Sequence, residues 1–148
     1  MEETRHLLRH LLATFAFRTA TCLRDAPAGF AYFGAGNGVR TPAEMIRHMT
    51  GLMYFAHGLL VETPRQELPP LDWDGEVVRL QAALRDLDEA VAAASQWQSD
   101  PLAALQGPLA DALTHTGQLA TLRRLAGSPI QGGNYARAGI RAGELRLT

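Results

Sequence analysis

The sequence predicts an all-α protein, a four-helix bundle with long connectors and an extended C-terminal tail. Three observations support this prediction. Apolar residues recur at helical spacing in four long segments, clusters of proline and glycine separate those segments, and no segment shows the alternating pattern of a β-strand. The chain has 148 residues, which suits a single domain, 1–148, around one hydrophobic core.

The first helix is predicted over residues 2–25. Leucines and one phenylalanine, Phe15, form an apolar stripe at the i, i+1, i+4, i+5 and i+8 positions, and Pro27 follows its end. The connector 26–40 is rich in glycine and is interpreted as a surface loop, because it lacks the G-x-G-x-x-G pattern and no strand precedes it. Its aromatic residues are expected either to form the lip of a cleft or to fix the loop in place.

The second helix carries the clearest start signal in the chain. Thr41 is predicted as the N-cap, Pro42 takes the first helical position, and Glu44 stands three residues after the cap. This combination is a capping box with proline at the first helical position. The helix is expected to run to about Leu60 and to stop before Pro64.

Two further helices complete the predicted bundle. The third covers about 75–95 and places Asp88, with its acidic neighbours, on a solvated face. After a stretch interrupted by proline, the fourth runs from about Leu109 to Ala126, with Gly127 just beyond its C-cap. Residues 128–148 contain several glycines and are predicted to form an extended tail laid over the bundle.

Charge and composition exclude several classes of partner. The 14 basic and 15 acidic residues leave a net charge of −1, so nothing favours binding to nucleic acid or to an anionic membrane. No apolar run is long enough for a transmembrane helix. The single cysteine, Cys22, rules out an intrachain disulfide and a cysteine-based zinc site, which favours a cytoplasmic location. Cys22 itself is interpreted as a small buried hydrophobe.

The second helix is predicted to turn one histidine toward the bundle. At about 100° per residue, His48 shares a stripe with Met45, Leu52 and Phe55. Glu44 precedes His48 by one turn and lies near the same face. Glu44, or Gln118 on the fourth helix, is therefore a candidate to assist proton transfer beside an ion held by His48.

The stretch DALTHTGQL, 111–119, puts Asp111, His115 and Gln118 on one face of the fourth helix. Apolar residues occupy much of the remaining surface, so this helix is predicted to be largely buried. A buried carboxylate must be paired, hydrogen-bonded, protonated or bound to a metal. Spacing of i, i+4 lets two side chains hold one ion, with His48 as the candidate third ligand. An ordinary ion pair between Asp111 and His115 is the alternative, and spacing alone leaves both open.

These two motifs resemble those of the DinB-like family, damage-inducible proteins with a four-helix fold. The segment VRTPAEMIRHMTGLMYFA, 39–56, matches the family pattern T-x-x-E-x-x-x-H. The segment DALTHTGQLATLRRLAGSPI, 111–130, matches H-x-x-x-H-x-G-Q except at its first histidine. With the helix order and the length, the likeness covers nearly the whole chain. It implies an up-up-down-down-type bundle that binds a divalent metal through three histidines, often as a dimer.

Carried onto this sequence, the resemblance makes His48 and His115 metal ligands and puts Asp111 where the family has a third histidine. An aspartate can still ligate, and two imidazoles with one carboxylate suit Zn, Ni, Fe or Mn without selecting among them. Gln118 matches a family position beside the motif. It is expected either to hydrogen-bond a ligand or bound water, or simply to pack.

Two functions follow as hypotheses. The first is a metal-dependent enzyme, either a hydrolase or a thiol-dependent transferase, that acts on a small molecule as a homodimer. The second is a non-catalytic, stress-related dimeric bundle with a degenerate metal site, which binds a small ligand or acts through dimer contacts. The sequence names no substrate for either one.

Overall fold

The structure is a computed structural model and describes residues 1–63 and 65–148. Within these residues there is no strand, which confirms the all-α prediction. Three long helices come first, and a fourth is assembled from a short helix, a π-helical turn over Leu105–Leu109 and a longer helix. The helices are α1 (Glu2–Leu23), α2 (Pro42–Leu60), α3 (Trp73–Ala93), α4 (Pro101–Ala104) and α5 (Ala110–Leu125).

Side chains and glycine set the ends of these helices. The predicted capping box of α2 is confirmed, because Glu44 N donates to Thr41 Oγ1 and Thr41 N donates to Glu44 Oε2. Helix α3 begins two residues earlier than predicted, since Asp72 accepts a hydrogen bond from Gly75 N and caps it. Gly127, with φ of 77°, closes α5 as predicted. The stop predicted at Pro64 lies outside the described residues.

The fourth helix is longer than predicted and is interrupted. It begins at Pro101, where Asp100 caps α4 by accepting a hydrogen bond from Leu102 N. Pro108 has no backbone N–H and cannot join an i to i−4 ladder. The chain widens into the π-helical turn around Pro108 and then resumes as α5. The proline therefore disturbs the helix without ending it.

The four long helices form a ring in the order α1, α3, α2, α5, each packed against two neighbours. Arg47 and Glu76, close to the starts of α2 and α3, lie 3.7 Å apart, so these two helices are parallel. Arg9, in the first half of α1, pairs with Asp88 near the end of α3, so α1 and α3 are antiparallel.

Helix α5 runs parallel to α1 and antiparallel to α2. Near the ends of α1 and α5, Arg123 donates to the carbonyl oxygen of Cys22. Met45, at the start of α2, lines a cleft together with Leu122, near the end of α5. The bundle is therefore up-down-down-up, and the up-up-down-down order implied by the family resemblance is wrong for this chain.

The connector between α2 and α3 makes the parallel pairing possible. Parallel neighbours require the chain to return along the whole length of a helix, and the proline-rich connector 61–72 has enough residues to do so. Leu68, in this connector, lies against α2 at Gly51. A Cβ atom at Gly51 would be 3.1 Å from Leu68 Cδ1, so the absence of a side chain lets the connector pack closely.

The core is a central column of side chains from all four long helices. On α2 the buried face is centred on Met45, Met49 and Met53, and His48 lies at its edge. Phe55, predicted to share the inward stripe, is 57% exposed. Other core members are Leu12, Phe15, Ile46, Leu80, Leu84, Leu87, Leu119 and Leu122.

One acidic residue departs from its predicted surroundings. Asp88 was expected on a solvated face, and the structure buries it to 5% exposure. Arg9 binds it in bidentate geometry, because Nε donates to Oδ1 at 2.8 Å and Nη2 donates to Oδ2 at 2.7 Å. The partner lies 79 positions away in the chain, so local periodicity could not reveal it.

The C-terminal tail lies over the bundle, as predicted. Leu145 and Leu147 are buried in the core. Gln81 on α3 holds the tail backbone between them: its Nε2 donates to Leu145 O at 2.6 Å, and Leu147 N donates to its Oε1 at 2.8 Å. Judged by length and hydropathy, no helix in the described residues could span a membrane.

Arg123 joins the end of α5 to the end of α1. The side chain is 4% exposed, and its five N–H groups all donate hydrogen bonds. The acceptors are the carbonyl oxygens of Cys22, Arg24, Asp25 and Ser128 and the Ser128 hydroxyl. Because every N–H group of this guanidinium already donates within the protein, Arg123 stabilises the fold and has no donor left for a ligand.

We expect Arg123→Met to lower the free energy of unfolding by about 2–4 kcal/mol, because it removes five hydrogen bonds and leaves the buried carbonyl oxygen of Cys22 without this donor. Arg124→Met is the matched control. The exposed Arg124 makes one hydrogen bond, 3.3 Å long, to Ala120 O, so its loss should cost less than about 0.5 kcal/mol. Urea denaturation measures both, and equal effects would contradict this account of Arg123.

Cys22 is a buried thiol, as predicted. It is 1% exposed, and its Sγ donates to Thr116 O at 3.6 Å. Burial raises the pKa of the thiol to about 11. Both observations are typical of an unreactive structural cysteine.

Native protein at pH 8 should react with Ellman's reagent at least about 100-fold more slowly than protein unfolded in guanidinium chloride. Access is blocked, and a pKa of about 11 leaves only roughly 0.1% of the thiol ionised at this pH. Release of the thionitrobenzoate anion measures both rates. Similar rates in the two states would show that Cys22 is accessible.

Candidate metal centre

The antiparallel contact between α2 and α5 brings His48 opposite Asp111 and His115. Nε2 of His48 lies 3.6 Å from Oδ2 of Asp111, and Nε2 of His115 lies 3.3 Å from Oδ1 of the same carboxylate. Each of the three residues offers a ligand atom within 4.8 Å of the other two. An ion about 2.0–2.2 Å from each donor would hold them roughly 3–4 Å apart, so one divalent cation fits after small side-chain rotations.

His115 is held in place by Gln118. The side chain of His115 is 9% exposed, and its Nδ1 lies 2.8 Å from Gln118 Oε1. An amide oxygen only accepts, so Nδ1 donates in this contact, and Nε2 is the nitrogen that faces Asp111 and can ligate a cation. Histidines that ligate metals are commonly fixed in this way through their other nitrogen.

His48 is more open than His115, with 30% of its side chain exposed. Its ring packs edge-on against that of His115, with 4.6 Å between the centroids. Partial burial lowers the pKa of His48, repulsion from Arg40 and from a protonated His115 lowers it further, and Asp111 opposes these effects. The imidazole is therefore neutral at pH 7, the form that can ligate a cation.

Asp111 is less buried than predicted. Its side chain is 46% exposed at the start of α5, and it contacts both imidazoles. The prediction that this helix is largely buried is wrong, because α5 packs on α1 and α2 alone among the long helices and exposes its opposite face at Thr114, Gly117 and Thr121. The carboxylate thus closes the cluster on its solvent side.

Glu44 is not part of the cluster of possible ligands in the described residues. Its Oε2 accepts hydrogen bonds from Thr41 N at 2.8 Å and Thr41 Oγ1 at 3.0 Å. These bonds lower the pKa of Glu44, which is fully exposed. Its carboxylate caps α2, and Glu44 shares a cleft wall with His48.

Two clefts flank the pair of imidazoles. His48 lines the larger, of about 750 Å³, and His115 and Gln118 line the smaller, of about 410 Å³. The segment Gly38–Arg40 lines both and forms a shared wall. Open positions on an ion bound by the cluster would lie beside these spaces.

The glycine-rich connector contributes more to this region than the sequence revealed. Phe30 is buried and packs edge-on against Trp73, with 6.1 Å between the ring centroids, so it fixes the connector in place. Tyr32 is 66% exposed and lines neither cleft. Arg40 was not predicted as a residue of the site. Its position next to the N-cap of α2, two turns before His48, could have indicated that it lies beside the imidazoles.

Comparisons of the chain with protein-family models, with curated proteins and with solved structures found no match in any of the three. The resemblance to the DinB-like family therefore stays a prediction carried by the motifs at 41–48 and 111–118. The geometry of the cluster is the observation from which a function can be proposed.

Gln118 should decide the tautomer of His115. We expect the metal-free protein to carry the His115 proton on Nδ1, because Gln118 accepts it, and Gln118→Leu should remove this preference. Long-range ¹H–¹⁵N correlation spectra of the imidazole at pH 8 distinguish the two nitrogens.

Gln131→Leu is a matched control, since Gln131 is exposed and lies in the tail. A proton on Nε2 of His115 in the unmutated protein would mean that the ring donates to Asp111 instead. That result would contradict a ring oriented to ligate.

Proposed function

We propose that this chain is a divalent-metal-binding protein of the DinB-like family, with His48, Asp111 and His115 as the ligands. The observation that supports the proposal is the convergence of three donor groups from two antiparallel helices within 4.8 Å. Two imidazoles and one carboxylate suit Zn, Ni, Fe or Mn. Three protein ligands also leave positions open, as catalytic sites do.

We propose further that the protein is a metal-dependent enzyme, a hydrolase or a thiol-dependent transferase for a small molecule. A divalent ion held here would act as a Lewis acid on a donor atom of the substrate. Gln118 orients His115 through Nδ1, so that Nε2 would be free to hold an ion, and Asp111 would offset part of the charge of that ion. His48 joins this centre to the larger cleft, in which the rest of the substrate would lie.

Glu44 and Gln118 have different assignments in this proposal. Glu44 is ionised at neutral pH, and a carboxylate with a lowered pKa is a weak proton acceptor. We therefore assign Glu44 to the cap of α2 and the cleft wall. Gln118 has no proton to exchange at neutral pH and positions His115.

The setting is part of the same proposal. We assign the protein to the cytoplasm as a homodimer, without nucleic acid or membrane as a partner. The near-zero net charge, the single cysteine and the family resemblance support this assignment.

One observation favours the alternative, a non-catalytic and stress-related bundle whose metal site is degenerate. The side chain of Asp111 is 46% exposed, so water can solvate its carboxylate without an ion. In that case the cluster would stabilise the contact between α2 and α5, and the clefts would bind a small ligand.

Metal analysis of purified protein separates these two functions. We expect about one divalent ion per chain, and its loss in His48→Ala and His115→Ala, because each removes one of three ligands. His57→Ala is the matched control, since His57 lies on α2 outside the cluster. Elemental analysis by mass spectrometry after dialysis gives the stoichiometry, and His115→Ala with undiminished metal would overturn the proposed site.

A second readout shows whether the ion is part of the folded state. Removal of a bound ion with a chelator should lower the midpoint of thermal unfolding, because an ion at about 100 times its Kd adds about 2.7 kcal/mol. The same chelator should leave His115→Ala unchanged. If neither protein responds and neither contains metal, the alternative is favoured.

A further inference from the structure

The larger cleft combines an apolar wall with a positively charged one. Leu52, Phe55 and Leu68 line one part of it, and Phe55 is 57% exposed. Arg40 and Arg47, with the carboxylate of Glu44 between them in the chain, line another part next to His48. An apolar surface beside a few charged groups is the usual composition of a pocket for a small amphipathic molecule.

The two arginines differ in how far their charge is compensated. Arg47 lies 3.7 Å from the buried carboxylate of Glu76. That carboxylate also accepts hydrogen bonds from Arg79 and from Leu71 N. Glu76 therefore faces two guanidinium groups at once, and Glu44, which also lines the cleft, adds a second negative charge. The three guanidinium groups of Arg40, Arg47 and Arg79 outweigh these two carboxylates, so the wall keeps a net positive charge.

Arg40 takes part in no ion pair of the described residues. It directly precedes Thr41, the N-cap of α2, so its backbone is fixed at the rim of the site. It lines both clefts, the larger beside His48 and the smaller beside His115, so its guanidinium lies at the wall that the two clefts share. A guanidinium in this position can form two parallel hydrogen bonds to a carboxylate or phosphate.

We infer that the substrate is a small organic anion, whose carboxylate or phosphate binds Arg40 and whose apolar part packs on Leu52, Phe55 and Leu68. This inference rests on the proposed metal-dependent function, because the ion at His48 would then meet the reacting atom between these two anchors. The ion bound by two neutral imidazoles and one carboxylate keeps a positive charge. Both charged parts of the site thus attract the same class of molecule.

Phenylacetate and phenylacetamide are suitable probes, because they share shape and apolar area and differ in charge. Zinc-loaded protein is titrated with each compound, and ¹H–¹⁵N spectra report the Kd and the residues that shift. We expect phenylacetate to bind about tenfold more tightly than phenylacetamide, as a charge-assisted pair would provide. The shifts should include Arg40, Leu52 and Phe55.

Arg40→Gln should reduce this preference to about twofold or less without changing the zinc content, and Arg40→Lys should keep part of it. Arg137→Gln is the matched control, because it removes one positive charge from an exposed position in the tail. It should keep the full preference, which would assign the effect to Arg40 and not to net charge.

Several results would overturn the inference. The first is equal affinity for the two probes. The second is no detectable binding of phenylacetate at about 10 mM, roughly a 100-fold molar excess over the protein. The third is the same preference for phenylacetate in Arg40→Gln and Arg137→Gln. A preference lost on zinc removal but kept in Arg40→Gln would also overturn it, because the ion would then take the carboxylate. If the unmutated chain holds no zinc and still prefers phenylacetate through Arg40, the metal site fails and the anion site stands.

Discussion

The packing of α5 between α1 and α2 is the constraint on which the candidate site depends. One edge of α5 is fixed to α1, because Thr116 hydrogen-bonds Thr19 at 3.1 Å and Arg123 binds the last carbonyl oxygens of α1. These two contacts lie seven positions apart on the same face of the helix and set its rotation. His115, one position before Thr116, is then turned to α2 and meets His48 with a ring separation of 4.6 Å. The cluster exists because two contacts with α1 hold α5 in this orientation.

The order of the helices around the bundle places the open spaces beside that cluster. Parallel pairing of α2 and α3 brings the connector that joins them against α2, where Leu68 packs at Gly51 and lines the larger cleft. The glycine-rich connector lies at the end of the bundle where α2 begins and α5 ends. Its segment Gly38–Arg40 separates the two clefts. Both long connectors therefore shape the surroundings of the imidazoles, while the helices supply the ligands. In many proteins, likewise, helices or strands hold the residues of a site in place, and loops determine which molecules can enter it.

Local signals in the sequence were sufficient for the helices and for the three clustered side chains. The capping box at Thr41, the glycine at 127 and the helical spacing of Asp111 and His115 act within a few residues, so they can be read directly. The facing position of His48 followed from its phase on α2, although it lies at the edge of the buried face and not inside it. Features that depend on distant pairs were missed or wrong. Asp88 is buried because Arg9 reaches it across 79 positions, and the helix directions depend on how the connectors run. Burial of α5 was overestimated because composition does not reveal that only two of its neighbours are long helices.

The central claim is that His48, Asp111 and His115 hold one divalent ion. X-ray absorption at the zinc edge of protein loaded with one equivalent of zinc tests this claim most directly, because it reports the atoms around the ion. The account predicts a first shell of low coordination number at about 2.0–2.1 Å, with the multiple scattering of two imidazole rings and with oxygen as the remaining donor. A first shell of oxygen atoms alone, without imidazole scattering, would contradict it.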